Sequence, residues 1–182
     1  AVGSSLALQN IFLQLGHKAD VLLPNEYPSF LAWMPGNENI VIYDKQANDW
    51  YSLFSEAELI FCVDFNDPSR INHLSEKLSN SKAVKILIDH HLNPEDFCDI
   101  NFSETDTSST CELIYDFIGM IEAKDLINKH IAECLYVGIM TDTGSFSYSC
   151  NYPKTYLIVA ELMRFGIDVE LIHRRVYDTY SE

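Results

Sequence analysis

No stretch of this chain approaches the roughly 20 consecutive apolar residues that a membrane span requires, and no charged-then-apolar leader opens it. Basic residues are scarce: 12 Lys and Arg stand against 27 Asp and Glu, a net charge of −15. A surface that grips a long polyanion needs many cations along the phosphates, so this balance argues against long duplex nucleic acid as a partner. An anionic substrate would have to find its positive charge elsewhere, and metal ions are the natural source. Cys-x-x-Cys pairs are missing as well. Cys62, Cys98, Cys111, Cys134 and Cys150 are scattered and odd in number, which argues against a disulfide scaffold or zinc knuckle and fits reduced, mostly buried thiols in a cytoplasmic protein. There is no internal repeat, low-complexity tract or interdomain linker, and 182 residues of 47% hydrophobic content suffice for one well-packed α/β domain. The first residue is Ala1 rather than methionine, so some sequence is expected to precede it.

What is present alternates between two periodicities. Leu8, Ile11, Phe12 and Leu15 recur at helical spacing before Gly16, giving a helix over about residues 3–15 with one apolar stripe. Residues 20–23 and 39–43 read as short strands around a loop rich in proline, where Trp33 is expected to cover the core rather than stack a ligand. Residues 59–64 form a buried-looking strand ending in an acid. Asp67 and Pro68 then open a helix that turns Ile71, Leu74 and Leu78 inward. Val84–Asp89 is a second such strand, and residues 98–102 a third. Thr107 or Ser108 caps a helix carrying Leu113, Ile114, Phe117 and Ile118. Another buried helix spans residues 126 to about 139 and runs into a Thr/Gly/Ser loop. Pro153 opens a helix that Gly166 ends, and Asp168 caps a last segment continuing towards Tyr180. Such alternation implies βαβ units, hence an α/β fold with a doubly wound, mostly parallel sheet and helices on both faces.

Two of these strands end abruptly. Val84-Lys85-Ile86-Leu87-Ile88 stops at Asp89-His90-His91, and Leu59-Ile60-Phe61-Cys62-Val63 stops at Asp64. In a doubly wound sheet both termini lie on the rim where ligands bind. Asp142, where the buried helix gives way, is a third isolated acid. One rim acid is commonplace, since acids cap helices. Three carboxylates converging with a double histidine would repel one another unless something positive stood between them, which favours a metal site. Oxygen and imidazole donors suit divalent manganese, iron, cobalt, magnesium or zinc. Two such ions about 3.5 to 4 Å apart would clamp a phosphoryl group and generate the nucleophile.

Asp89-His90-His91 after its aliphatic strand, Val63-Asp64-Phe65-Asn66 upstream and Gly138-Ile139-Met140-Thr141-Asp142-Thr143-Gly144 downstream resemble, in order and spacing, the motifs of the DHH phosphoesterase superfamily. The branch it looks most similar to is the bacterial oligoribonuclease/pAp phosphatase group, often labelled exopolyphosphatase-related. That resemblance implies a Rossmann-like DHH domain and a metal-dependent hydrolase. Its cofactor would be two Mn2+ ions, with Mg2+ or Co2+ as alternatives. Its substrates would be phosphate esters of small nucleotides, namely short oligoribonucleotides, pAp or linear dinucleotides, cleaved by a metal-bound hydroxide. The resemblance further implies that Asp64 bridges the metals and that His90 and Asp142 complete one metal's shell. His91 would face the scissile phosphate, and Asp89 would orient its neighbouring imidazole. A homodimer is compatible with all of this; a membrane partner is not implied.

Two departures accompany the resemblance. Family members open with a strand ending in His-x-x-Pro-Asp-x-Asp-Ala-x-Gly-Ser, of which Ala1-Val2-Gly3-Ser4-Ser5 matches only the tail. The family's smaller, glycine-rich C-terminal domain has no counterpart. Residues 1–182 are therefore expected to be the DHH catalytic domain truncated at its N-terminus, with incomplete metal ligation and without the substrate-binding domain. Two other readings compete with a nucleotide phosphoesterase: an inorganic pyrophosphatase or polyphosphatase of the same superfamily, and a non-catalytic nucleotide-binding module. His17, His73, His130 and His173 follow no strand and are expected at the surface, Arg70 in a helix-surface ion pair, and Arg174 and Arg175 at a solvated helix end.

Overall fold

The computed structural model describes residues 1–43 and 50–178. Its elements alternate as the periodicities require: α1 (Val2–Gln14), β1 (Val21–Leu23), β2 (Ile40–Ile42), α2 (Trp50–Glu56), β3 (Leu59–Val63), α3 (Leu74–Asn80), β4 (Val84–Asp89), β5 (Ile100–Ser103), α4 (Thr110–Met120), α5 (Lys129–Asp142), α6 (Pro153–Met163) and α7 (Val169–Tyr177). Every strand pairing is parallel. Among the described residues the ladder is in two pieces, β1–β2 and β3–β4–β5, rather than one continuous sheet.

Side-chain alternation divides the larger sheet between two cores. Phe61, Val63, Ile86 and Ile88 turn towards α1, α4 and α5 and join the main core. Cys62 and Leu87 turn the other way, meeting Leu78 of α3 and Phe54 of α2 in a smaller cluster. Helices thus cover both faces. The first three turns of α1 are buried nearly all round, with Val2, Gly3, Ser4, Leu6, Ala7, Leu8, Gln9 and Ile11 all inside. This is wider than a single stripe, because α1 lies between the strands and α5. Its start crosses α5 closely: a Cβ on Gly3 would run into the Cys134 carbonyl and would lie 3.2 Å from the Gly138 nitrogen. Glycine permits that approach, and it brings the start of α1 and the end of α5 to the same rim.

Several boundaries differ from the sequence reading. The segment after Asp67 is a short 3-10 turn, Pro68–Ile71, that breaks at Asn72 (φ 50) before α3 begins, since a left-handed residue cannot continue a helix. β5 starts at Ile100, two residues beyond Cys98. The cap of α4 is Ser109, whose hydroxyl accepts from the Glu112 N–H, rather than Thr107 or Ser108. α5 begins at Lys129, capped by Asn128, and runs on through Asp142, so that acid is the last helical residue and not part of a loop. α7 ends at Tyr177, and Tyr180 lies outside the described residues.

Candidate metal centre

Strand register sets the site. Val63 pairs with Ile88 and Asp89 with Ser103, so the residues following β3 and β4 emerge side by side at the C-terminal rim. Asp64 takes a left-handed backbone (φ 67), and its N–H still donates to the Ile88 carbonyl at 3.0 Å. That bend leaves the strand direction and turns the carboxylate across the rim. The neighbouring loops are laced together, with Glu95 N–H donating to the Asn66 carbonyl at 2.8 Å and the Asn66 amide to the Leu92 carbonyl at 2.8 Å.

Asp89 is fully buried and accepts twice from His91: from its backbone N–H at 3.0 Å and from ring Nδ1 at 2.7 Å. The imidazole that Asp89 orients is therefore His91, two positions along, and not adjacent His90. With the Nδ1 proton directed at Asp89, Nε2 is the ring nitrogen left for other work. His90 sits against His91 edge-to-face at 4.8 Å between centroids. Its Nε2 stands 3.8 Å from Asp64 Oδ1 and 4.0 Å from Asp142 Oδ2.

Those two distances are too long for hydrogen bonds. They suit donors sharing an ion: two atoms each about 2.0–2.2 Å from one metal lie roughly 3.0 to 4.4 Å apart. Asp64, His90 and His91 can each bring one donor atom within 4.8 Å of the others, while Asp142 approaches the group from the His90 side. Nitrogen and oxygen donors without thiolate match a borderline or hard divalent cation, so the residues present fit a metal of the kind the resemblance implies.

The electrostatics point the same way. Burial pushes the Asp64 carboxyl up, while the hydrogen bond from the Thr110 hydroxyl and the charge of His90 act to lower it. Asp142 is raised, first by burial and then by the charge of Asp64. The rise of Asp142 in the field of Asp64 is what carboxylates gathered with no cation between them show.

Thr110, which the sequence reading missed, donates its hydroxyl to Asp64 Oδ1 at 2.7 Å. The signal was available, since Ser109-Thr110-Cys111-Glu112 has the Ser-x-x-Glu spacing of a helix start and puts Thr110 at the first helical position. Among the other candidates, His17, His73, His130 and His173 are all exposed. Arg70 bonds the Asn66 side-chain oxygen at 3.2 Å rather than an acid. Arg175 lies 4.8 Å over the ring of Trp33, which packs against the core, so the indole covers the core as expected. All five cysteines are buried and free. No described helix is long and apolar enough to cross a membrane.

Comparison with known proteins bears on this geometry. The model of the DHH family, N-terminal domain, matches residues 1–139. A probable bifunctional oligoribonuclease and PAP phosphatase NrnA of Streptococcus mutans is 28% identical over 156 residues, covering 85% of this chain and 49% of that protein. The bifunctional oligoribonuclease and PAP phosphatase NrnA of Bacillus subtilis is 30% identical over 139 residues, covering 75% of this chain and 42% of its own length. The crystal structure of an exopolyphosphatase-related protein from Bacteroides fragilis superimposes with a TM-score of 0.98 at 44% identity, over 100% of this chain and 54% of the other. The chain spans about half the length of the curated relatives it matches.

Proposed function

The chain belongs to the DHH family, as its N-terminal domain, and from that premise we propose that it is the core of a manganese-dependent phosphoesterase acting on small nucleotides: short oligoribonucleotides, pAp or linear dinucleotides. One observation carries the reading. His90 Nε2 is set between the carboxylates of Asp64 and Asp142 at 3.8 and 4.0 Å, beyond hydrogen bonding and within the span of donors that share an ion.

Asp64, His90 and Asp142 would hold the metal. When bound, divalent ions supply the positive field that a chain of net charge −15 lacks, together with the Lewis acidity that activates water. The remaining work falls to the chain's own groups. Asp89 holds His91 by two hydrogen bonds, which fixes the ring, and the Nε2–H that the ring carries in its imidazolium form would be placed to stabilise or protonate the leaving oxygen. Depletion of Lys and Arg suits a short substrate, which needs few phosphate contacts.

The test is release of mononucleotide or phosphate by the intact protein, with pAp, a dinucleotide and pyrophosphate compared in the presence and absence of Mn2+. Expected is manganese-dependent turnover of the nucleotides that falls at least about a hundredfold in Asp64→Ala. Full activity in that variant would sink the proposal. Preference for pyrophosphate would move the reading to the sister activity, and manganese binding without turnover to a nucleotide-binding module.

A further inference from the structure

The hydroxyl of Thr110 belongs to the site although it lies 46 residues from the acid it meets. Thr110 is 1% exposed, and its Oγ1 is 2.7 Å from Asp64 Oδ1, the same oxygen that stands 3.8 Å from His90 Nε2. Asp64 follows its strand through a left-handed backbone, so the ladder alone does not fix where its carboxylate points. A second anchor is needed, and Thr110 is placed to be one.

The segment presenting that hydroxyl is unusually well tied. Ser109 caps α4 by accepting from the Glu112 N–H at 3.3 Å. Glu112, itself 1% exposed, accepts from the Ser108 hydroxyl at 2.7 Å and from the Thr155 hydroxyl of α6 at 2.8 Å. Lys154 Nζ approaches its other oxygen at 3.9 Å. Buried networks in which each member is satisfied make rigid supports. Thr110 adds its own stiffness, because β-branching restricts χ1. Its hydroxyl is not spent on the helix: it reaches across to β3.

We propose that Thr110 is a positioning residue for the Asp64 carboxylate, its hydroxyl fixing Oδ1 so that the group would be held ready, beside His90, to take a metal ion. This rests on the reading of Asp64 as a metal ligand. The observed partner of the Thr110 hydroxyl is Asp64, and Thr110 is not itself offered as a ligand. It acts through Asp64, as hydrogen-bonded partners of metal ligands commonly do, and such partners typically set affinity by about 10- to 100-fold.

The experiment is a Mn2+ titration of the intact protein, reading free ion by its electron paramagnetic resonance signal, for wild type, Thr110→Val, Thr110→Ala and Thr110→Ser, with circular dichroism and a thermal melt on each. Valine keeps the shape and removes the donor; serine keeps the donor. Expected is a loss of Mn2+ affinity of about 10- to 100-fold in the valine and alanine variants and recovery to within a few-fold in the serine variant, with folded spectra. A role in packing alone would be rescued by valine and not by serine. Wild-type affinity in either folded donorless variant, or a serine variant as weak as they are, would overturn the proposal. Absence of Mn2+ uptake by the wild type would instead bring down the metal reading itself, so the two failures are told apart by the wild-type titration.

Discussion

Replacing Gly3 by alanine tests the packing that assembles the rim. The added Cβ would meet the carbonyl oxygen of Cys134 well inside van der Waals contact, with the Gly138 nitrogen at 3.2 Å and its Cα at 3.4 Å. All three atoms are backbone of α5, so no side chain can swing away and the helices must part. Overpacking of this kind costs about 1 to 3 kcal/mol. Alanine regains at most about 1 kcal/mol of helix propensity over glycine. Because the clash is with backbone, the upper part of the overpacking range, about 2 to 3 kcal/mol, applies, and the expected net loss of about 1 to 2 kcal/mol lowers Tm by roughly 2 to 8 °C for a chain of this size. Gly138→Ala is the instructive partner, because its Cβ would overlap the side chain of Cys111 instead of backbone. Adding Cys111→Ala should restore much of what Gly138→Ala loses and do nothing for Gly3→Ala, a difference that a double-mutant cycle resolves at about 0.5 kcal/mol. Thermal and urea melts of the single and double variants supply the numbers. A Gly3→Ala protein as stable as wild type, or more so, would refute the close-crossing argument.

Asp142→Asn is expected to raise the stability of the metal-free protein at pH 7 by about 0.5 to 2 kcal/mol, a gain common when a strained functional group is removed. The sign follows from its raised carboxyl: the folded state holds the proton more tightly than the unfolded chain, so stability is lost as pH climbs from 3.8 through the folded value. The advantage of the variant should therefore vanish near pH 3, and a gain that is constant with pH would contradict the assignment. Among the thiols, burial pushes Cys134 up to about 12 and Cys111 well above its usual range, while the hydrogen bond from Cys62 lowers Cys98. Mass spectrometry after brief iodoacetamide treatment at pH 8 should find Cys98 modified first and Cys111 and Cys134 only after denaturation; early labelling of Cys134 would disprove it.

The strands flanking the site were legible because each is an apolar run ended by an acid, a pattern with few alternatives: β3 and β4 lie where Val63-Asp64 and Ile88-Asp89 put them. Their shared rim followed from parallel topology, which brings His90 beside Asp64, whereas Asp142 reaches His90 from the end of α5 through helix packing that strand order does not dictate. What escaped was set by neighbours distant in sequence. That Asp89 binds His91 rather than His90 depends on which way the chain turns after β4, and periodicity does not encode it. α5 outlasts its apolar pattern by one turn because Thr143 caps it back onto the Ile139 and Thr141 carbonyls, which moves Asp142 from a loop to a helix end. The 3-10 break at Asn72 and the division of the strands into two ladders carry no local signal at all.

That helix end matters, because the costs in this molecule are gathered around the two acids facing His90. A carboxylate at a helix C-terminus opposes the helix dipole by about 0.3 to 1 kcal/mol, and Asp142 is the last residue of α5. After the intervening Thr143, Gly144, Ser145 and Phe146 have φ of 51, 56 and 61°, two of them residues for which a left-handed backbone costs roughly 1 to 2 kcal/mol. Asp64, at φ 67, is of a residue type that adopts this conformation at lower cost than Ser or Phe. Of the other non-glycine positive-φ positions, Asn72 and Asn93 are of a type that tolerates the conformation, Glu122 closes the turn after α4, and Ser149 lies further along the same connection as Ser145 and Phe146. Strain that the surrounding fold must over-determine clusters at functional sites. Here two of the strained residues, Ser145 and Phe146, follow Asp142 within four positions, a placement reached without donor chemistry or charge.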